Sequence, residues 1–382
     1  MLVPLTNTPR DYAWGSTTLI AELEGRSPSG APEAEVWFGD HPGHPARVPD
    51  GRTLGEWLAS GDAPEGTPER LPYLLKILAA SSSLSIQAHP SKEQAEAGFA
   101  REDADGVARD AGSRNYRDDN HKPEIIVAIS DRFRALVGLR PLDQTRRLVA
   151  TLGAGADPLR SRLTGEQDAE VLRAALRWAL SEEARASLPD LVGAIRRANS
   201  EEFRQELDVL RRIADEFPGD GGLIVALLMN LVVLQRGEAV FAPAGVLHAY
   251  QDGLGVELMA ASDNVLRGGL TPKHVDVEEL MRVVDTTAGA VPLVEPHGAG
   301  ELVRYDVGVP DFSLLRVDVN SGTTAPVGLI GPAIALCVAG DVSVAASGME
   351  LKLSAGQAVF VTGDPEVSIS GTGEVFVAEP GR

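Results

Sequence analysis

Apolar positions fall into three textures along the chain. From Met1 to about Arg140, short runs such as LPYLLKILAA (71–80), LSIQAHP (84–90) and EIIVAI (124–129) are broken by proline and glycine. The last two predict strands between turns. From Pro141 to Phe217 glycine thins out after a GAGADP turn. In EVLRAALRWALSEEAR, Val171, Leu172, Ala175, Leu176, Ala179 and Leu180 recur at three- and four-residue spacing. That period predicts amphipathic helices whose charged faces meet solvent. After the FPGDGG turn, Leu223 to Leu234 is a 12-residue apolar stretch interrupted only by Asn230. It is too short to span a bilayer and reads as one buried element. Beyond about residue 235 the text consists of strand-length runs punctuated by glycine every eight to twelve residues, the spacing of a sandwich or jelly roll.

Two segments of that last part repeat one unit, GEAVFAPAG (237–245) and GQAVFVTGD (356–364). A glycine turn, a short apolar strand and a second turn, used twice, predict two related β-barrel domains. Only the first copy runs on to a histidine, His248, so only that copy can place a metal ligand or acid/base group there.

Composition narrows the partners. The 382 residues carry 35 Lys and Arg against 55 Asp and Glu, a net charge of -20, which disfavours nucleic acid and anionic membranes as partners. Apolar residues at 43% and charged ones at 24% are ordinary for a globular chain. One cysteine, Cys337, excludes an intrachain disulfide and suits a reducing compartment. With no signal-like N-terminus, the expected location is the cytoplasm. Arginine occurs 30 times and lysine five times, at Lys76, Lys92, Lys122, Lys273 and Lys352. Four of these lie in or beside the motifs below, and an ammonium, unlike a guanidinium, can transfer a proton once desolvated.

Residues 237–248 have the cupin-barrel form G-x5-P-x-G-x-x-H, in which glycine turns deliver His248 from a strand into a barrel. Gln87 and His89 stand two apart in LSIQAHP, hence on one strand face. In NHKPE, Pro123 favours an extended Lys122, placing Lys122 and Glu124 on a common face. Each pattern also suits a plain structural role, a buried hydrogen bond or a surface ion pair. Asp263, Asn264 and Arg267 could bind an anion or polarise a carbonyl, but the four-residue spacing of Asp263 and Arg267 equally suits an ion pair on a helix. The usual zinc spacings are absent. His89, His248 and Glu124 nevertheless make a two-imidazole, one-carboxylate set compatible with zinc or non-haem iron.

Taken together, YAWGS (12–16), AEVWFGDH (34–41), LPYLLK (71–76), LSIQAHP, NHKPE, GEAVFAPAGVLHAY (237–250) and SDNVLRGGLTPKH (262–274) resemble the type I mannose-6-phosphate isomerases, a cupin family. The resemblance implies a mainly β fold of cupin or jelly-roll barrels with an inserted helical domain. Its parts would be a catalytic domain at 1–140 plus 221–300, the insert at 141–220 and a C-terminal jelly roll at 301–382. It implies an enzyme holding one Zn2+ per chain through Gln87, His89, Glu124 and His248; separately, no heptad seam is visible, so a monomer is expected. The reaction would interconvert mannose 6-phosphate and fructose 6-phosphate, linking glycolysis to mannose and GDP-mannose metabolism. Lys76, Lys122, Glu257, Asp263 and Arg267 map to the charged pocket, with Trp14, Glu35, Ser85 and His121 lining it.

Such a reaction moves a proton between C2 and C1 through a cis-enediol. Lys122, Glu257 and Asp263 are the candidate bases, and zinc, Arg267 or both would stabilise the oxyanion. Lys76, Arg267 and Ser85 are the leading phosphate ligands, ahead of Lys92 and Lys273. Two other functions compete, a non-haem iron oxygenase on the same barrel and a sugar-phosphate sensor with an inert site. The lysines and arginine near the site suit an anionic sugar better than an aromatic substrate, and no motif residue is missing, as a degenerate sensor would show.

Overall fold

The computed structural model describes residues 1–382, the side chain of Ala299 excepted. Two antiparallel sheets, one of ten strands and one of nine, carry the chain, with a helical layer between residues 142 and 228. The long strand His248–Ala260 is the spine of the first sheet. It pairs with Tyr73–Ala80 and Glu124–Ala128 through its second half, and with Ile86–Ala88 and Phe133–Leu139 through its first. Gly253, at φ +124°, lies between the halves, where a Cβ would come within 2.8 Å of the Arg132 carbonyl oxygen. Glycine therefore lets one strand serve both walls of a barrel.

Strand Tyr73–Ala80 is buried along its whole length, because both its faces are covered. Leu75, Ile77 and Ala79 join an outer core shared with Phe312, Leu314, Leu336, Phe360 and Phe376 of the second sheet. Leu78 and Ala80 face inward with Ile126, Ala128, Val240 and Tyr250, closing one end of the barrel with apolar packing. Lys76, on the same inward face by strand alternation, stands toward the other, polar end.

The predicted helical block is present. Helix Asp168–Ala179 buries Val171, Leu172, Ala175, Leu176 and Ala179, and Ser181 caps the next helix, Glu182–Arg197, by accepting from the Ala184 N–H. Its core includes Ile86, Ala88, Leu136, Leu247 and Leu266, so the helices back the strands that carry Gln87, His248 and Arg267.

The repeated glycine units are matching turns into strands. Gly237 (φ +85°) precedes Ala239–Ala242, and Gly356 (φ +87°) precedes Ala358–Val361.

Three local readings change. The stretch Leu223–Leu234 is not one element but a helix, Gly222–Leu228, running directly into a strand, Met229–Leu234. An unbroken apolar run has no period to mark the switch, and Asn230 holds the strand part by donating to the Val137 and Gly289 carbonyls. Arg267 lies on strand Leu266–Gly269 rather than on a helix with Asp263. That strand must pass close to the helix start at Gly222, where a Cβ on Gly269 would lie 2.4 Å from the Gly222 Cα. The β-textured C-terminal half also contains a helix, Val277–Val283, capped by the Asp276 side chain.

The N-terminal strand lies at an edge of the second sheet. Strand Leu2–Leu5 pairs with Ala358–Val361, and the amino terminus donates to the Thr362 carbonyl at 2.7 Å. No helix among the described residues is long and apolar enough to cross a membrane. Cys337 is fully buried in this sheet, and burial pushes its thiol up to about 11. The native chain is therefore expected to resist iodoacetamide at pH 8 and to be alkylated only after denaturation. Rapid native labelling would show that the sheet opens there.

Candidate metal centre and active site

His89, Glu124 and His248 arrive from three strands at one buried point, with one ligand atom from each lying within 4.8 Å of the others. His89 follows strand Ile86–Ala88, Glu124 opens Glu124–Ala128 and His248 opens the spine strand. The imidazole centroids are 4.9 Å apart.

Hydrogen bonds assign the tautomers. His89 Nδ1 is 2.7 Å from the Asn264 carbonyl oxygen and His248 Nδ1 is 3.1 Å from that of Val246. A carbonyl only accepts, so both Nδ1 atoms carry the proton and both Nε2 atoms present lone pairs. Burial and the nearby Lys122 charge lower His89 to about 4, keeping it neutral.

His89 Nε2 is buried without a hydrogen-bond partner among the described residues. It faces Glu124 Oε1 at 3.5 Å, and His248 Nε2 faces Glu124 Oε2 at 3.1 Å. Two neutral lone pairs aimed at one carboxylate repel unless a cation lies among them. Two imidazoles, a carboxylate and carbonyl-held outer nitrogens fit a zinc ion with an open position. Gln87 pairs across the sheet with His248 on one side and Arg267 on the other, which places it beside the cluster.

A second buried group adjoins it. Lys76 Nζ donates to Glu257 Oε2 at 2.8 Å, lies 3.7 Å from Glu35 Oε1 and sits over the Trp37 ring. Trp37 Nε1 donates to Glu35 at 2.7 Å. Lys122 donates to Glu124. Three buried carboxylates, Glu35, Glu124 and Glu257, thus meet two ammonium groups. Burial lowers Lys76, but the Glu257 and Glu35 charges outweigh it and hold its pKa above the usual value. Burial raises Glu257, and Glu124 and Glu35 add to the rise while Lys76 opposes it. The neighbouring carboxylate charges contribute to both shifts, and a bound divalent cation would offset them. Tyr250, two residues beyond His248, is buried beside Glu257 and kept protonated by burial and by that charge.

Segment 261–264 organises the rim. The Asn264 side chain accepts from the Arg117 N–H at 2.7 Å and donates to the Asp118 and Asn120 carbonyls at 2.8 Å each, while its own carbonyl holds His89. Asp263 is half exposed, its carboxylate 3.1 Å from His41 Nε2. Partial burial would raise Asp263, but the His41 hydrogen bond and charge hold it low. Arg267 has no carboxylate partner among the described residues. Burial and the Arg117 charge lower its pKa, and burial with the Arg267 and Arg117 charges lowers Lys273. Arg267 and Lys273 thus each lie within reach of neighbouring positive charge, a grouping suited to an anion. Lys273 also borders a cavity of about 410 Å³ between the helices and the 269–277 segment, whose walls include none of the metal-cluster residues.

The remaining lining residues spread around the rim. Trp14 stacks on Tyr12 and packs on the barrel's inner core. Ser85 is partly buried just before strand Ile86–Ala88. His121 bonds Asp311, in the loop that leads into strand Ser313–Val319, 2.7 Å away. Sequence reasoning left His41 unassigned and gave Tyr250 and Arg117 no role. The tyrosine had a signal, its two-residue offset from His248 on a predicted strand. Nothing in the sequence paired His41 with Asp263.

Comparison with known proteins agrees with this geometry. The family profile described as phosphomannose isomerase type I, catalytic domain, matches residues 2–142. The chain is 36% identical to mannose-6-phosphate isomerase of Escherichia coli (strain K12) over 388 residues, covering 97% of each. It is 30% identical to the Homo sapiens enzyme, covering 96% of this chain and 94% of that one. It superposes with a TM-score of 0.88 on the crystal structure of mannose 6-phosphate isomerase from Salmonella typhimurium bound to fructose 6-phosphate and zinc, at 33% identity and 100% coverage of both chains. A lysine-bearing charged pocket, a His–Glu–His centre and similarity along the whole length place the chain in the type I phosphomannose isomerase family.

Proposed function

We propose that the chain interconverts mannose 6-phosphate and fructose 6-phosphate with one zinc ion held by Gln87, His89, Glu124 and His248. The observation that carries this is the pair of outward-tethered imidazoles aimed at the Glu124 carboxylate, beside a rim of unpaired cations. Bound zinc would supply electrophilic polarisation of the substrate oxygens and order the pocket.

The chain's own residues divide the rest of the work. Arg267, across the sheet from Gln87, stabilises the developing enediol oxyanion. Arg117 and Lys273 hold the phosphate dianion at the exposed side. Lys76 is committed to Glu257 and Glu35 inside the barrel, so it serves the carboxylates and not the phosphate. Glu257 takes the C2 proton and returns it to C1. Of the three candidate bases it alone is a buried carboxylate, since Lys122 is an ammonium and Asp263 is half exposed. A carboxylate whose pKa is raised by burial is better matched to proton transfer near neutrality. Trp14, Ser85 and His121 line the sugar.

In this reading the 1–140 plus 221–300 segments make the catalytic domain, 141–220 the helical insert and 301–382 the C-terminal domain. The enzyme works in the cytoplasm as a monomer, with neither nucleic acid nor membrane as a partner. Zinc-loaded protein should convert mannose 6-phosphate to fructose 6-phosphate, a chelator should abolish turnover and added zinc should restore it. Folded, zinc-occupied protein that turns over nothing would sink the proposal.

A further inference from the structure

Asp311 lies far along the chain from the other site residues, yet its Oδ2 is 2.7 Å from His121 Nε2. Both side chains are largely sheltered, at 21% exposure for His121 and 12% for Asp311. A carboxylate only accepts, so this contact makes Nε2 the protonated nitrogen and leaves the lone pair of the neutral ring on Nδ1. His121 directly precedes Lys122, and the backbone before it is clamped, because the Asn120 carbonyl accepts from both Asn264 Nδ2 and Ser262 Oγ. The ring is thus fixed through its own loop on one side and through the loop before strand Ser313–Val319 on the other.

Asp311 is itself firmly based. Phe312 is buried in the core shared by both sheets, and the Pro310 carbonyl accepts from the Gly381 N–H at 3.1 Å. Tyr73 Oη donates to the Pro332 and Ala378 carbonyls, and Tyr305 Oη donates to the Gly237 carbonyl at 2.8 Å. These bonds cross between the sheets around a continuous apolar core. An ion pair on flexible surface side chains orients nothing, whereas one built on two immobile frames sets an angle.

We infer that Asp311 is a positioning residue, the carboxylate through which the loop entering strand Ser313–Val319 fixes the tautomer and aim of His121 so that its Nδ1 accepts a substrate hydroxyl. The substrate part rests on the isomerase reading; the tautomer part does not. Asparagine at 311 can turn its amide and donate to the ring, which frees the tautomer, whereas glutamate remains an acceptor.

In the full-length, zinc-loaded enzyme, Asp311→Asn should raise KM for mannose 6-phosphate about tenfold, near 1.4 kcal/mol of ground-state binding, with kcat within about threefold. Zinc content and melting temperature should hold. Asp311→Glu should recover part of the loss, and Asp311→Asn combined with His121→Ala should be no worse than His121→Ala alone. An unchanged KM with a lowered melting temperature would make the pair a mere staple between sheets. Additive penalties in the double variant would mean that Asp311 does not act through His121. Either result overturns the inference. If the wild type shows no turnover, the isomerase reading fails instead, and the ring 15N shifts of His121 still decide the positioning role. Protonated Nε2 that is lost in Asp311→Asn supports it, and an unchanged tautomer overturns it.

Discussion

Replacing His248 with alanine is expected to strip zinc from the protein and to cut turnover on the order of a thousandfold, since a bound metal contributes several kcal/mol of transition-state stabilisation. The substitution removes one of two neutral Nε2 donors and leaves His89, Gln87 and a Glu124 already bonded to Lys122. Such a remnant binds a divalent ion poorly. Folding should survive, because the apo centre consists of lone pairs directed at a carboxylate, and deleting one imidazole relieves that repulsion. Zinc content by elemental analysis, melting temperature and rate should be measured on the same preparation. Full zinc occupancy with ordinary rates would remove His248 from the centre.

The second large effect is expected at Arg267. Arg267→Lys should fold normally, keep its zinc and lose about a hundred- to a thousandfold in kcat, the range seen when one oxyanion donor is removed. The guanidinium is partly buried, lacks a carboxylate partner among the described residues and stands opposite Gln87 across paired strands. A lysine there keeps the charge but not the planar fork. It would also be a more readily deprotonated cation beside Arg117 and Lys273. Near-normal kinetics would assign Arg267 to packing, and a rise in KM alone would move it to the phosphate.

How far the sequence alone could go depended on the kind of information each feature needs. Strand and helix identities followed where a period was printed in the text, as in Val171 to Leu180 or in the two glycine-led units that became matching turns at Gly237 and Gly356. The run from Leu223 to Leu234 has no such period, and its change from helix to strand is set by what Asn230 bonds at a distance. Strand alternation was enough to bring Gln87 beside His89, and Lys122 beside Glu124. It was not enough for contacts made by loops from distant parts of the chain. The Asp263–His41 pair, the Asn264 clamp and the Lys76–Glu257 bond depend on how the strands close into a barrel, and closure is a tertiary fact. For that reason the metal set was better defined in advance than the charged groups around it. Lys76 shows the difference, since a lysine suited to a phosphate by composition lies between two buried carboxylates.

The pairing of Leu2–Leu5 with Ala358–Val361 has a consequence for how the molecule is made. Strand Leu2–Leu5 leaves the ribosome long before its partner Ala358–Val361 has been made. At roughly 5–20 residues per second, it must wait about 20 to 70 seconds for that partner to be synthesised. During that interval the second sheet has an open edge, and the outer core against which Tyr73–Ala80 packs lacks Phe360 and Phe376. A nascent chain interrupted before residue 358 would carry every metal ligand and still lack part of the surface that shields the barrel, which makes premature termination products natural clients for chaperones and proteases.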